Sequence, residues 1–233
     1  MSPDSPPRGR YRCCGIVHTE TVEDYLKAIF ALVTRDEPTT TTHLAEHLGV
    51  SPPTVSAMLK RLADEDLVHR PDRYHAELTE HGTAHALTIV RRHRLIEQFL
   101  ATVLDVPWDE VHGEAEVLEH ALSDRLVERI DTYLGHPTHD PHGDPIPAPD
   151  RRHEESWTGS LAQAHPGDRF RVERISDRDS AALRYLGELG IRPGIVLEVI
   201  ERSPFGGPLW VSLGTGRHGL GMALATIVHG RAG

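Results

Sequence analysis

The sequence has only two cysteines and no long apolar run. Cys13 and Cys14 are adjacent, so they provide neither a disulfide framework nor the spaced pairs of a structural zinc site. No apolar stretch approaches the ~18 residues that a membrane-spanning helix needs. The N-terminus also has no apolar segment of the secretory kind. We therefore expect a reduced, cytoplasmic protein that makes no contact with a membrane.

Positive charge is also scarce. The 233 residues include 25 Lys and Arg against 35 Asp and Glu, a formal net charge of -10. Non-specific binding to nucleic acid depends on Lys and Arg that neutralise phosphates, so the composition excludes a general affinity for DNA and leaves only a local contact. The chain is instead rich in metal-ligand types, with 17 histidines beside the acids. Their positions have to distinguish ligands from ordinary surface residues.

The first predicted helix follows a tail that contains Pro, Arg and Ser. Thr21 is expected to cap this helix, with Asp24 three residues later. Apolar residues then recur at helical spacing from Tyr25 until the chain reaches Pro38. The helix is therefore amphipathic, and Asp24 is a carboxylate in its first turn.

Two short helices separated by a tight turn follow. One helix, over residues 42–48, is expected to stop at Gly49, and the next to begin with Ser51 as its cap and Pro52 at its first position. This pattern is typical of a helix-turn-helix. The segment LVHRPDRYHAELT after it predicts two short strands, a winged hairpin. The alternative is a helical hairpin that only packs against the core.

The second of these helices has the composition of a recognition helix. Its leading residues are small, polar or basic, which suits contact with base edges in the major groove. Acidic residues follow at once over 64–66, so the interpretation depends on the pattern and not on charge. The residues expected to contact double-stranded operator DNA are Ser51, Pro53, Thr54 and Ser56 near the bases, and Lys60, Arg61, Arg70 and Arg73 on the backbone.

Metal-ligand residue types recur at helical spacing in the middle of the chain. Thr79 is expected to cap a long helix on which His93 and Glu97 are four residues apart. A fifth helix, predicted from about residue 109 to 134, carries a second row. Residues four apart share a face of a helix. That row consists of His112, Glu116 and His120, with Glu119 beside it.

The rest of the chain predicts a linker and a small β-rich module. Five prolines between residues 137 and 149 exclude a helix or a central strand, so this segment is interpreted as a semi-rigid linker. Four strand-like runs and one helical stretch follow, which predicts a small β-barrel. The expected division is a tail (1–18), a winged helix-turn-helix domain (19–78), a helical dimerisation and metal-binding domain (79–135), the linker (136–156) and an SH3-like domain (157–233).

These motifs, in this order, resemble the diphtheria toxin repressor family of iron- and manganese-dependent repressors. The resemblance covers residues 19–231 and is carried by EDYLKAIF, SPPTVSAMLKRL, RRHRLIEQFL, VHGEAEVLEHALSD and PHGDPIP. The C-terminal LRYLGELGIRPG and ERSPFGGPL are similar to the small ferrous-transport A (FeoA) proteins. The resemblance implies a primary metal site at Asp24, Glu116, Glu119 and His120, and an ancillary site at His93, Glu97 and His112.

Three positions bear on the choice of metal. Carboxylate and imidazole ligands suit Mn²⁺ or Fe²⁺ better than Cu⁺ or a structural zinc. Iron-sensing members of the family have Met and Cys where this chain has Asp24 and Glu116, so the resemblance favours Mn²⁺, with Fe²⁺ as the alternative. Two-domain manganese sensors have a Glu where this chain has Lys27, which leaves one or two ions per subunit open. Asp177 or Asp179 is a further candidate ligand from the SH3-like domain.

The resemblance implies a homodimer that binds palindromic operators of metal-homeostasis genes when metal is bound. A winged-helix regulator that senses no metal is the alternative. A ferritin-like enzyme needs Glu-x-x-His on two helices, whereas the fifth helix here has Glu-x-x-Glu-His. We therefore expect that the protein is not an enzyme.

Overall fold

The computed structural model describes residues 19–72, 74–148, 158–214 and 216–233. Cys13, Cys14 and the predicted DNA contact Arg73 lie outside these residues. The chain forms two compact units. Of the described residues, unit 1 comprises 19–72, 74–96, 116–136 and 146–148, and unit 2 comprises 97–115, 137–145, 158–214 and 216–233. Of the helices in the described ranges, none is both long and apolar enough to cross a membrane.

Unit 1 contains the predicted helix-turn-helix, which comes after the first helix. Gly49 has a φ of +66°, the left-handed conformation that ends a helix most easily at glycine. The Ser51 hydroxyl accepts a hydrogen bond from the Thr54 backbone N–H, and Pro52 is the first helical residue, as predicted. Its helices and strands are α1 (Glu20–Thr34), α2 (Thr41–Leu48), α3 (Pro52–Asp64), β1 (Val68–His69), β2 (Glu77–Leu78), α4 (Glu80–Val103), α5 (Val111–Leu118) and α6 (Asp124–Tyr133), with α4 and α5 continuing into unit 2.

The predicted wing and the cap of α4 are confirmed. β1 and β2 pair antiparallel, with Val68 opposite Leu78. The Thr79 hydroxyl accepts a 2.9 Å hydrogen bond from the Gly82 N–H and so caps α4. Apolar side chains from α1, α2, α3, β1 and the first half of α4 form one core, which includes the fully buried Leu26 and Leu59. This core fixes α1 against the helix-turn-helix.

Gly82 allows α4 to approach the chain before β1. A Cβ at this position would lie 1.9 Å from the Leu67 carbonyl oxygen, whereas a Cβ at Gly113 on α5 would meet nothing within 4 Å. We expect Gly82→Ala to lower the free energy of unfolding by about 1 to 3 kcal/mol, because the backbone must move. The matched control Gly113→Ala should be neutral or stabilise by up to about 1 kcal/mol. Denaturant unfolding of the full chain measures both, and equal stability of the two variants would contradict this packing.

Two predicted helix boundaries are wrong. The fifth helix predicted over 109–134 is two helices, α5 and α6, because the Ser123 hydroxyl accepts a hydrogen bond from the Leu126 N–H and starts a new helix at Asp124. The first helix starts at Glu20, with Thr19 in the cap position, so Thr21 lies inside its first turn. The break after α5 removes Glu119 and His120 from the helical row.

Unit 2 contains a five-stranded antiparallel sheet with the strand order β6-β5-β4-β3-β7. Its apolar core includes Phe170, Leu197 and Val211. The helix α7 begins after Asp179, whose carboxylate accepts hydrogen bonds from the backbone N–H groups of Ala181 and Ala182. The elements are β3 (Arg169–Ile175), α7 (Ser180–Glu188), β4 (Val196–Arg202), β5 (Leu209–Leu213), β6 (Gly216–Leu220), α8 (Met222–Ile227) and β7 (Val228–Ala232).

Two elements of this sheet differ from the prediction. The run ALATIVHG, predicted as one strand, is the helix α8 followed by β7, because its Ala- and Leu-rich first half favours a helix. The strand β6 was not predicted, since its glycines give it little strand propensity. Gly219 instead packs against the Trp210 ring of β5, where a Cβ would lie 3.3 Å from the ring.

Residues 137–145 were predicted to be a linker but are packed into unit 2. His142 is completely buried, and Asp140 and Asp144 are nearly so. Gly143 has a φ of +88°, and a Cβ there would lie 2.0 Å from the Glu173 carbonyl oxygen of β3. Arg174 of β3 forms an ion pair with Asp144. The prolines exclude regular structure here but do not prevent tight packing.

Candidate metal centres

Carboxylates and histidines from α1, α4, the end of α5 and the turn after it meet in unit 1. Ligand atoms of Asp24, Glu119 and His120 all lie within 4.8 Å of one another, and the same holds for His93, Glu116 and Glu119. Glu119 belongs to both groups and is fully buried. We call the five residues together the unit 1 cluster. It contains all four residues of the predicted primary site.

Hydrogen bonds orient His120 within this cluster. Its Nδ1 lies 3.0 Å from a carboxylate oxygen of the buried Glu23, and its Nε2 lies 3.1 Å from Asp24 and 3.5 Å from Glu119. A histidine that ligates a metal usually donates its other ring N–H to a carboxylate or carbonyl. Glu23 therefore fits the role of the acceptor that leaves Nε2 as the ligand atom. Sequence reasoning missed Glu23, because nothing in the sequence distinguishes it from other acids on α1.

The turn that carries Glu119 is held by α4. Arg92 donates one hydrogen bond to the Glu119 backbone carbonyl, at 3.1 Å, and another to the Asp124 carboxylate, at 2.6 Å. His93, the next residue on α4, lies with its Nδ1 2.7 Å from the other Glu119 carboxylate oxygen. The resemblance implied an ancillary role for His93. The same side chain also contacts Glu119 of the predicted primary site.

A lysine also lies in the unit 1 cluster. The Lys27 ammonium is 2.8 Å from a Glu116 carboxylate oxygen and 2.5 Å from one of Glu119. Burial lowers the pKa of Lys27, but the charges of Glu119 and Glu116 outweigh burial and raise it above its usual value. Burial raises the pKa of Glu119, but His93 and Lys27 outweigh that effect and lower the pKa to about 2. Burial is also the main reason why the pKa of Asp24 is raised.

A second group of ligand types lies in unit 2. His112 Nδ1 is 3.1 Å from a Glu97 carboxylate oxygen and 3.2 Å from one of Asp177. Burial lowers the pKa of His112, but hydrogen bonds to Asp177 and Glu97 and their charges outweigh burial and raise it to about 11. Of the two candidate ligands from the SH3-like domain, Asp177 faces His112, whereas Asp179 caps α7.

Sequence reasoning missed two residues of this group. Asp140 and His142 lie with their ligand atoms within 4.8 Å of one another and of Glu97, and all three residues are buried. His142 is the second residue of the segment PHGDPIP, and Asp140 directly precedes that segment. This part of the chain was interpreted as a linker. A His and an acid two residues apart was the available signal, but prolines on either side concealed it. We call Glu97, His112, Asp140, His142 and Asp177 the unit 2 cluster.

The hydrogen bonds of His142 leave one ring nitrogen free to bind a ligand. Its Nε2 lies 2.7 Å from the Trp108 backbone carbonyl, which can only accept a hydrogen bond, so Nε2 carries the proton. Its Nδ1 is buried and has no hydrogen-bond partner among the described residues. Buried nitrogen lone pairs are seldom left without a partner. A cation held between His142 and the neighbouring carboxylates would satisfy this atom.

The loop before α5 is fixed against α7. Asp109 forms a 2.9 Å ion pair with Arg184, and the Arg192 guanidinium lies 4.4 Å from the Trp108 ring centroid. A Cβ at Gly187 would lie 2.7 Å from the Trp108 indole nitrogen, so this glycine makes room for the ring. Since the Trp108 carbonyl contacts His142, these contacts also help to position the unit 2 cluster.

Both clusters fit a divalent ion. Their members are Asp, Glu and His, oxygen and nitrogen ligands that suit Mn²⁺ and Fe²⁺. A cation also compensates the repulsion between their closely spaced carboxylates. In the unit 1 cluster, Glu119 contacts the Lys27 ammonium and the His93 ring. The site therefore already holds one positive charge, that of Lys27, against its carboxylates.

The predicted DNA contacts form an exposed surface on α3. Ser51, Pro53, Thr54, Ser56, Lys60 and Arg61 are all exposed, and Arg70 beside the wing is half-buried. The opposite side of α3 is buried through Val55, Leu59 and Leu62. Arg61 forms a 2.9 Å ion pair with Glu65. The helix therefore presents its polar side outward and its apolar side to the core, as the pattern predicted.

Three family models match this chain. Residues 18–76 match the N-terminal DNA binding domain of the iron dependent repressors, and residues 79–148 match their metal binding and dimerisation domain. Residues 159–231 match the FeoA domain. The three matches follow one another in the order that the motifs predicted.

Known proteins are similar over most of the chain. A diphtheria toxin repressor from Corynebacterium efficiens is 32% identical over 194 residues, which cover 78% of this chain and 84% of that protein. The iron-dependent repressor IdeR of Mycobacterium tuberculosis is 39% identical over 128 residues. That match covers 55% of this chain and 56% of IdeR, so the chain spans only about half the length of that relative.

Solved structures give the same result. A manganese-dependent transcriptional repressor in complex with manganese is 41% identical, with a TM-score of 0.83 over 91% of this chain and 99% of that one. The manganese regulator SloR is 34% identical, with a TM-score of 0.75 over 91% of this chain and 98% of its own. The chain therefore belongs to the diphtheria toxin repressor family of metal-dependent transcriptional repressors.

Proposed function

We propose that this protein is a repressor that binds operator DNA as a homodimer when a divalent ion is held in the unit 1 cluster. One observation carries the proposal: Asp24 on α1, which packs with the helix-turn-helix, shares a cluster with Glu119 and His120 after α5. One ion can therefore bind the ligand on α1 and the ligands after α5 at the same time. The protein acts in the cytoplasm, where it meets DNA, and it catalyses no reaction.

The residues proposed to hold the ion in unit 1 are Asp24, Glu116, Glu119 and His120. A bound divalent ion supplies positive charge and coordination bonds to these side chains. Glu23 orients His120, and Arg92 holds the turn that carries Glu119. Because the carboxylates repel one another, their close approach is more favourable with the ion than without it. Metal then favours the arrangement of α1 that permits DNA binding.

A second ion is proposed for the unit 2 cluster. Glu97, His112, Asp140, His142 and Asp177 provide oxygen and nitrogen ligands from α4, α5, the packed segment 137–145 and the loop after β3. His142 offers Nδ1, since its Nε2 donates to Trp108. His93, the third predicted ancillary ligand, lies four residues before Glu97 on α4 and also contacts Glu119.

Mn²⁺ is proposed in preference to Fe²⁺. No member of either cluster is Cys or Met, so the sulfur ligand of iron-sensing members is missing at Glu116 and Asp24. Hard carboxylate oxygens suit Mn²⁺. The 41% identical structure, described as a manganese-dependent repressor, supports this preference.

The DNA contacts are proposed on the exposed side of α3 and on the wing. Ser51, Pro53, Thr54 and Ser56 would meet base edges, while Lys60, Arg61, Arg70 and Arg73 would contact phosphates. A homodimer presents two such helices related by a two-fold axis, so the operator should be palindromic. The genes controlled would be those of metal homeostasis.

The test is a mobility shift on DNA from upstream of the protein's own gene. DNA binding should be lost when the metal is chelated and restored when Mn²⁺ is added. Under anaerobic conditions Fe²⁺ should also restore it, but only at a higher free concentration than Mn²⁺. Equal activation by the two ions would refute the preference for Mn²⁺. Binding that chelation leaves unchanged would refute the proposed function and support a regulator that senses no metal.

A further inference from the structure

We propose that the Lys27 ammonium takes the place of a second metal ion in the unit 1 cluster, so that this cluster binds one divalent ion per chain. The inference rests on the proposed function, because it concerns the same ligands. It adds the number of ions and names the residue that sets it.

The geometry of the cluster divides it into two groups of ligands that share Glu119. One group is Asp24, Glu119 and His120, and the other is His93, Glu116 and Glu119. Each group has three ligand atoms within 4.8 Å of one another, which is enough to hold an ion. By ligand geometry alone, the cluster could therefore hold two.

Lys27 lies in the second of these groups. Its Nζ is 2.8 Å from Glu116 and 2.5 Å from Glu119, the distances of short charge-assisted hydrogen bonds. It follows Asp24 by three residues on α1, so both point to the same side of the helix. The side chain is 17% exposed, and the carboxylate of Glu119 is fully buried. The ammonium is thus held in the group by the same carboxylates that an ion would need.

Lys27 already occupies the carboxylates that a second ion would need. Glu116 and Glu119 each accept a hydrogen bond from its ammonium. A second divalent ion would have to displace Lys27 from both glutamates and leave a partly buried ammonium without these partners, where charge is costly to bury. The lysine therefore stabilises the glutamates and excludes a second ion at the same time.

Substitution of Lys27 tests this directly. Lys27→Met removes the cation with little change in length, and Lys27→Glu adds a carboxylate at the same place. Each should bind one more Mn²⁺ per chain than the wild type in equilibrium dialysis with metal analysis. Lys27→Arg keeps the cation and is the matched control, which should bind the same number as the wild type.

The possible results distinguish a failure of the inference about Lys27 from a failure of the proposed function. An additional ion in either Lys27→Met or Lys27→Glu, with none in Lys27→Arg, supports the inference. If neither of the first two variants binds more than the wild type, Lys27 does not limit the number of ions and the inference is wrong. If His120→Ala binds as many Mn²⁺ ions as the wild type, the unit 1 cluster does not bind metal, and the proposed function is wrong.

Discussion

His120→Ala should reduce the Mn²⁺ affinity of the unit 1 cluster by more than 100-fold and abolish metal-stimulated operator binding. The imidazole Nε2 lies 3.1 Å from Asp24, and Glu23 fixes its orientation from the other side. Loss of a residue that only supports a metal ligand typically costs about 10- to 100-fold in affinity, so loss of the ligand itself should cost more. Isothermal titration with Mn²⁺ measures the affinity, and fluorescence anisotropy of labelled DNA measures operator binding.

The matched control is His165→Ala. His165 is an exposed histidine in unit 2 with an aspartate 3.9 Å away, so its substitution removes the same chemical group outside both clusters. It should leave Mn²⁺ affinity and operator binding unchanged. If His120→Ala has the same Mn²⁺ affinity and the same metal-stimulated operator binding as the wild type, the ion is held elsewhere.

His142→Ala should remove one bound Mn²⁺ per chain, that of the unit 2 cluster. The substitution deletes the buried Nδ1, which lacks a partner among the described residues. It also leaves the Trp108 carbonyl without its donor, a loss that typically costs about 1 to 3 kcal/mol of stability. Equilibrium dialysis counts the ions, and denaturant unfolding of the metal-free chain reports the stability separately.

Two variants keep this second prediction interpretable. His139→Ala alters an exposed histidine three residues earlier in the same segment and should bind as many ions as the wild type. If His142→Ala does not fold, His112→Ala tests the same cluster from a side chain that is 40% exposed. An unchanged number of ions in a folded His142→Ala variant would exclude His142 as a ligand.

Local sequence signals predicted the helix-turn-helix and the wing correctly. Gly49, Ser51, Pro52 and Thr79 each act on the backbone within a few residues, so their effects can be inferred without knowledge of the tertiary fold. The same reasoning failed at Ser123, where a capping serine lies inside a run with helical periodicity. Periodicity indicated one helix, but the cap divides it into two.

The residues that could not be predicted depend on contacts that are distant in sequence. The resemblance singled out the position of Lys27, but Lys27 and Glu119 are 92 residues apart, and no local pattern indicates that the ammonium enters the cluster. His142 requires the Trp108 carbonyl and the β3 backbone to become buried. The helical spacing of His112, Glu116 and His120 suggested a single row, whereas the break after Leu118 leaves His112 and Glu116 on α5 and places His120 in the turn that follows.

Operator affinity at buffered free Mn²⁺ is the most direct measurement of the central claim that metal in the unit 1 cluster controls DNA binding. At fixed salt, the full chain should bind its operator about 10- to 100-fold more tightly with saturating Mn²⁺ than with chelator, within the usual range for coupling between two sites. The operator should raise the affinity for Mn²⁺ by the same factor. Equal operator affinity with Mn²⁺ and with chelator would contradict the claim.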